Sequence, residues 1–193
     1  MGIDPGLAAD SISVQDQFLA PRQIRALLKC VRLRRRRGQF DAARIGRGES
    51  LQRRQDIRSD TTCWITAPLL SAERTLLRQL ESLRSELNAR TLLGLFETEL
   101  QYAWYPPGAG YDRHVDQPHG QEQRQVSVVL YLNENWTPAS GGELRIFDAV
   151  GGHRDVEPIA GRLVHFLTTG CEHAVLPTQR DRLSVSGWFR ARD

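Results

Sequence analysis

Lysine is almost missing from this chain: Lys29 is the single one among 26 basic residues, and arginine supplies the rest. Cysteine is sparse as well. Cys30, Cys63 and Cys171 fit neither a CxxC motif nor a zinc-ligand spacing, and an odd count argues against a disulfide framework. Reduced thiols in a cytoplasmic protein are the expectation. No apolar run approaches the ~20 residues of a membrane span; the longest, around Val128–Leu132, is strand-sized, so no membrane partner is expected. The opening MGIDPGLAAD lacks the basic head and apolar stretch of a secretory signal, which predicts a chain that is not exported. What remains is a 193-residue composition, 40% hydrophobic and 25% charged, that suits one globular domain and excludes a collagen, a coiled coil or a largely disordered chain.

The charge is unevenly spread. From Arg22 to Arg58 there are 13 basic residues against Asp41, Glu49 and Asp56, a local balance of +10, while the remainder carries 13 basic and 20 acidic residues. Such a segment suits nucleic acid, an acidic partner, or simply a solvated surface.

Residues 1–15 are small and polar and read as a loose terminus. Pro21 opens a helix with Ile24, Leu27, Leu28 and Val31 at helical spacing, which Gly38 ends. Its basic end, Arg34–Arg37, reads as a solvated face. Gln39–Ile45 and Ile57–Ile65 are strand-like and flank the polar loop GRGESLQRRQD. A second helix spans Ser71 to Ala89, with Ser71 as its cap, Glu73 in its first turn and Leu76, Leu77, Leu80, Leu83 and Leu87 as its core stripe. After Gly94 come six strand-like segments: Thr98–Tyr105, Gln125–Leu132, Glu143–Phe147, Arg162–Leu167, Glu172–Leu176 and Arg182–Arg190. Turn-rich stretches separate them without intervening helices, which predicts an α+β domain whose antiparallel sheets close as a sandwich or jelly roll.

The chemistry concentrates in His114-Val115-Asp116, His173 and Arg182. Residues i and i+2 of an extended segment point to one side, so His114 and Asp116 can present an imidazole and a carboxylate to one point. With His173 from another strand they form the two-His, one-carboxylate set that leaves one face of an Fe(II) ion open. His119, His153 and His165 lack partners at such spacing and read as structural: the first two in polar turns, the third in a core strand. His173 and Arg182 bracket the turn 177–181, which predicts neighbouring antiparallel strands. Along the last strand Arg182, Ser184, Ser186 and Trp188 share one face, and Leu183, Val185 and Phe189 the other. A buried guanidinium demands an anion and suits a carboxylate bidentately. Arg182 and Ser184 therefore fit the far carboxylate of a small dicarboxylic 2-oxo acid, with the Tyr131 phenol as a further donor from the inward face it shares with Val129.

The blocks YPPGAGYDRHVDQ, VVLYLNENW, SGGELRIF, DVEPIAGRLVHF and EHAVLPTQRDRLSVSGWF together resemble the catalytic core of 2-oxoglutarate- and Fe(II)-dependent dioxygenases. More narrowly the chain is similar to the prolyl 4-hydroxylases that modify hypoxia-inducible factor and to their bacterial relatives, over about residues 57–190. The resemblance implies a double-stranded β-helix (jelly-roll, cupin-like) core with N-terminal supporting helices in a single domain, 1–193: a helical and finger-loop region over 16–93 and the jelly roll over 94–193. It implies His114, Asp116 and His173 as metal ligands and Arg182, Tyr131, Tyr105 and Ser184 around 2-oxoglutarate. Tyr111 and Trp188 would wall the pocket where a proline ring would lie. Gly46–Asp56 would be a finger loop over the substrate, with Arg53 and Arg54 as contacts. The implied cofactors are Fe(II), 2-oxoglutarate and O2, with ascorbate as a candidate reductant. The implied partner is a proline-containing protein or peptide, a translation elongation factor being the candidate, with succinate and CO2 as co-products.

Two other functions compete. One is a 2-oxoglutarate oxygenase acting on a free amino acid, another side chain or nucleic acid. Demethylases of alkylated nucleic acid show a second arginine six residues after the first, where this chain has Trp188, so nucleic acid is disfavoured. The other is a non-catalytic cupin-like module, which has no need of Arg182 and Ser184 on the pocket face.

Overall fold

The computed structural model describes residues 12–43, 54, 56–116 and 123–192. Two helices cover a seven-stranded antiparallel sheet, and a four-stranded antiparallel sheet faces it from the other side. The elements run β1 (Ile12–Gln15), α1 (Pro21–Arg36), β2 (Asp41–Ala42), β3 (Thr61–Trp64), α2 (Ser71–Thr91), β4 (Leu95–Tyr105), β5 (Tyr111–His114), β6 (Arg124–Tyr131), β7 (Leu144–Phe147), β8 (His153–Val156), β9 (Leu163–Leu167), β10 (His173–Val175) and β11 (Arg182–Ala191). The larger sheet has the order β1-β9-β6-β11-β4-β3-β2 and the smaller β5-β10-β7-β8. From β4 onward the chain passes back and forth between the two sheets. This winding is the double-stranded β-helix, as the jelly-roll expectation has it.

Period-two alternation gives the larger sheet two different faces. Leu100, Tyr102, Val126, Leu130, Val185 and Phe189 turn outward onto Ile24, Leu27 and Val31 of α1 and Leu76, Leu80, Leu83 and Leu87 of α2. Tyr131, Val164 and Phe166 turn inward onto Leu144 and Ile146 of the smaller sheet. Among the described residues no helix is long and apolar enough to cross a membrane. Among the described residues Cys30, Cys63 and Cys171 are buried and form no disulfide.

Several elements depart from the sequence reading. Residues 12–15 are not loose: they form β1, which pairs with β9 from Ile12 against Phe166 to Gln15 against Leu163. Ile12 and Val14 alternate with Ser13 and Gln15 and pack against the inner core, but a four-residue run is too short to stand out in the sequence. Of the strands expected over Gln39–Ile45 and Ile57–Ile65, the described residues form β2 and β3, with residues 44 and 45 outside the described ones, while β5 and β8 are additional. His153 thus starts a strand rather than lying in a turn. Ser71 is the first helical residue of α2, not its cap; the orphan N–H of Leu70 donates instead to the Glu73 carboxylate at 2.8 Å.

Arg34 corrects the solvated-face reading of the Arg34–Arg37 run. It is 7% exposed and donates through Nε and Nη2 to Glu73 at 2.6 and 2.8 Å, while the Tyr102 hydroxyl donates to the same carboxylate at 3.1 Å. This network ties α1, α2 and β4 together beneath the helices. Burial alone would raise the Glu73 pKa, but the donors from Arg34 and the Leu70 backbone outweigh it and hold it below the usual glutamate range.

Removing the Glu73 charge strands a buried guanidinium, a loss of about 3–5 kcal/mol by analogy with broken buried pairs. Urea denaturation at pH 7 should show Glu73→Ala destabilised on that scale. Because the folded-state pKa is depressed, the stabilisation is present above the ordinary glutamate pKa and fades as pH falls through and below about 4. The loss of stability on acidification should therefore be shallower in Glu73→Gln than in the parent. An equal slope would remove Glu73 as its source.

Candidate active site

β5 and β10 lie side by side with His114 directly opposite His173, so two histidines 59 positions apart in the chain meet at one rung of the smaller sheet. Asp116 follows His114 by two residues, and its carboxylate swings to the same side. The Asp116 Oδ1 atom lies 3.5 Å from His114 Nε2 and 3.7 Å from His173 Nε2. One ligand atom from each residue falls within 4.8 Å of the others, and among the described residues this is the one cluster able to hold a metal ion.

Each ring is oriented by the backbone just before it. His114 Nδ1 lies 2.7 Å from the carbonyl of Asp112, and His173 Nδ1 lies 3.0 Å from that of Cys171. A carbonyl only accepts, so both rings carry their proton on Nδ1 and turn an Nε2 lone pair to the centre. Burial lowers the His173 pKa against the pull of Asp116, keeping that imidazole neutral. Burial works the other way on Asp116, yet the attraction of the His173 and His114 rings when they are protonated, together with a hydroxyl donor, outweighs it and holds the carboxyl well below the usual range. The hydroxyl is that of Ser127, which donates to Oδ2 at 2.7 Å. Two imidazole nitrogens and one ionised oxygen, converging from one side, fit Fe(II) with open positions opposite.

From these ligands a cavity runs between the sheets to Arg182, lined also by Tyr105, Tyr111, Ser184, Ser186 and Trp188. Arg182 and Tyr105 are cross-strand partners in the β11–β4 pair, and Ser184 and Tyr131 in the β11–β6 pair. The Arg182 guanidinium sits 5.0 Å from the Tyr105 ring centre and 5.2 Å from that of Tyr131. It is 1% exposed, its Nε donates to the Gly142 carbonyl at 2.7 Å, and no carboxylate of the described residues pairs with it. The SGG turn makes room for this arrangement: Gly142 has φ +71°, and a Cβ there would press on Arg182 Cδ and Thr178. Among the described residues the Tyr131 hydroxyl, buried beside the guanidinium, has no hydrogen-bond partner. Burial raises the phenols of Tyr105, Tyr111 and Tyr131, the last to about 12, so all three remain donors at neutral pH. A buried cation and an orphaned donor at one end of the cavity fit a dicarboxylate reaching from the metal position.

The structure thus brings together His114, Asp116, His173, Arg182, Tyr105, Tyr131, Ser184, Tyr111 and Trp188. It corrects one step of the reasoning: β10 and β11 are not neighbours but lie in opposite sheets, so His173 and Arg182 face the cavity from its two walls. Residues 176–181 cross between the sheets instead of closing a hairpin. Tyr111 stacks on the His114 ring, centroids 3.5 Å apart, and the Arg58 guanidinium lies 4.7 Å from the centre of its ring. Arg54 pairs with Asp56 and does not line the cavity; Arg53 and His119 lie outside the described residues, as does most of Gly46–Asp56. His165 is buried, with its pKa lowered to about 4 by burial, and takes no part in the site.

Ser127 and Arg58 are the participants the sequence reading passed over. Ser127 was within reach, since it lies four residues before Tyr131 on the same alternating face. Arg58 gave no local signal: its place depends on an isolated bridge to Tyr111 and a bidentate pair with Asp60, at 2.6 and 3.0 Å.

Comparisons with known proteins agree with this geometry. Residues 100–190 match the 2OG-Fe(II) oxygenase superfamily profile. A prolyl-4-hydroxylase structure from Pseudomonas putida superposes with a TM-score of 0.86 and 42% identity, covering 97% of this chain and 96% of that one. A prolyl hydroxylase from Trichoplax adhaerens, in complex with a peptide of the hypoxia inducible factor oxygen degradation domain, gives a TM-score of 0.83 at 28% identity, over 95% and 85% of the two chains. Human Egl nine homolog 1 is 31% identical over 97% of this chain and 45% of its own length. The chain spans about half the length of the curated relatives that it matches end to end. On the near-complete match to the Pseudomonas putida protein and the converging ligand set, the chain belongs to the 2OG-Fe(II) oxygenase superfamily.

Proposed function

We propose that this protein hydroxylates a prolyl residue of a protein or peptide substrate, with Fe(II), 2-oxoglutarate and O2 as cofactors. The observation that carries the reading is the two-ended cavity: a His-Asp-His set at one end and a buried, acid-free arginine at the other. Bound Fe(II), with 2-oxoglutarate and O2, supplies the oxidising chemistry that places a hydroxyl on a C–H bond and leaves succinate and CO2.

The protein's own residues would hold, orient and exclude. His114, Asp116 and His173 would hold the metal through two Nε2 atoms and Oδ1. Arg182 would pair with the distal carboxylate of 2-oxoglutarate, and the Tyr131 and Ser184 hydroxyls would donate to it. Tyr105, opposite Arg182, would line the cosubstrate's path towards the metal. Tyr111 and Trp188 would flank the substrate ring and keep bulk water from the reacting carbon. Ser127 would act as a positioning residue: by occupying Oδ2 it leaves Asp116 to offer Oδ1 alone, preserving open positions for the cosubstrate and O2. The prolyl hydroxylases among the relatives lend the choice of proline, and a translation elongation factor is the candidate protein substrate. Buried cysteines that form no disulfide among the described residues support a cytoplasmic setting.

Asp116→Ala and His173→Ala should lose 2-oxoglutarate-dependent succinate formation together with tight Fe(II) binding; turnover retained in both would refute the ligand assignment. Arg182→Ala should leave metal binding intact and raise the KM for 2-oxoglutarate by about tenfold or more, the worth of a charge-assisted pair. Ser127→Ala should weaken Fe(II) or Mn(II) affinity by about 10–100-fold, with Ser127→Thr restoring it. An unchanged metal titration in Ser127→Ala would make the hydroxyl a packing feature only. Mass spectrometry of candidate substrate proteins should find one added oxygen on proline, and an oxygen placed only on other residues would reject the prolyl reading while sparing the chemistry.

A further inference from the structure

We propose that the helical face turned away from the sheets docks an acidic polypeptide segment, which seats an apolar side chain between α1 and α2. The Arg-rich stretch singled out in the sequence resolves here into an ordered array. Arg22, Arg25, Lys29, Arg32 and Arg36 are exposed and follow one another at steps of three and four, which places them on one face of α1, opposite Ile24, Leu27 and Val31. The row is about 21 Å long at the helical rise. α1 contains no acidic residue to neutralise it. Among the described residues, ion pairing reaches only Arg25, whose partner Glu134 stands at 3.7 Å with both side chains largely in water.

Beside this row lies a groove of about 230 Å³ with Leu19, Ala26, Leu27, Ala72 and Leu76 among its lining. Arg22 belongs to both the row and the groove wall. On the other wall, exposed Arg78 of α2 donates to the hydroxyl of the groove residue Thr75 at 3.3 Å. Apolar seats between cationic walls complement a segment that alternates acidic and apolar side chains. A nucleic acid is the poorer fit. Its backbone would run past the short row onto a body that is net acidic outside Arg22–Arg58, and a phosphate chain makes no use of an apolar floor. Arginine's planar fork suits carboxylates and loses less freedom per bond than lysine.

Fluorescence anisotropy on the full chain at low salt tests this with three labelled probes: a short glutamate–leucine peptide, the same peptide with serine for leucine, and a single-stranded oligonucleotide of equal charge. The glutamate–leucine peptide should bind tightest and lose affinity as salt rises. The triple change Arg22→Glu, Arg25→Glu and Arg78→Glu should weaken it by about tenfold or more. Ala26→Phe, which fills the groove, should weaken that peptide and leave the serine peptide unmoved. Succinate formation should persist in both variants, because the helices lie on the far side of the larger sheet from the cavity. Equal binding to the charge-reversed variant overturns the proposal. So does an oligonucleotide that binds as tightly as the peptide, or a serine peptide that binds as tightly as the leucine one.

Discussion

Alternation along the central strand of the larger sheet is the constraint from which the rest follows. β11 is paired on both sides, to β4 and to β6, over nearly its whole length, so its register is fixed twice. A one-residue slip would exchange its faces and put Val185 and Phe189 into the cavity and Arg182 among the leucines of α1 and α2. The apolar face therefore does more than stabilise the sheet. By requiring Val185 and Phe189 to meet the helices, it compels Arg182, Ser184 and Trp188 to face the metal ligands across the interior. Helix packing and site geometry are two readings of one register.

The smaller sheet contributes by a different local device used twice. In each histidine segment the ring bonds the carbonyl two residues earlier, Asp112 for His114 and Cys171 for His173. Each ligand thus carries its own orienting group in its own strand, and the cross-strand pairing of His114 with His173 then sets their separation. Asp116 lies beyond the end of β5 and has no such local anchor. Its second oxygen is held from the opposite sheet by Ser127, so the carboxylate is the element that couples the two sheets at the site.

How much of this was legible in the sequence follows from how local each feature is. Period-two patterns, turn chemistry and the HxD spacing are local, and they carried the strands after Gly94, the ligand set and the inward face of β11. Features set by partners remote in the chain were not legible. β1 pairs with the edge of β9 and β8 with that of β7; the alternation of Ile12–Gln15 is too short to stand out, and His153–Val156 has no strand pattern of its own. The placement of β10 and β11 in separate sheets was missed because a six-residue connection containing Pro177 looks the same in a hairpin and in a crossover. Arg34 was missed for a related reason: it lies in a run of four arginines, and only its angular position, in line with Ile24, Leu27 and Val31 on the buried side of α1, distinguishes it from its neighbours.

The two buried arginines make the strongest physical case for the site. Arg34 and Arg182 are 7% and 1% exposed, so each bears the cost of taking a guanidinium out of water. Arg34 meets that cost within the chain, through two bonds to Glu73 that also recruit Tyr102 and the Leu70 N–H. Arg182, the more buried of the pair, has one neutral carbonyl, two aromatic rings and an adjacent phenol whose hydroxyl donates to nothing among the described residues. The chain evidently can supply an internal carboxylate where the fold alone needs one. Its omission at Arg182 leaves a cation and a donor aimed at the same space, an arrangement that a stable fold does not require and that an anionic ligand completes. Opposite that space stand three converging ligand atoms, and no arginine or lysine among the described residues pairs with Asp116. One end of the cavity lacks an anion and the other lacks a cation. A metal ion chelated by a dicarboxylate supplies both at once, which is why the two ends belong to one site rather than two.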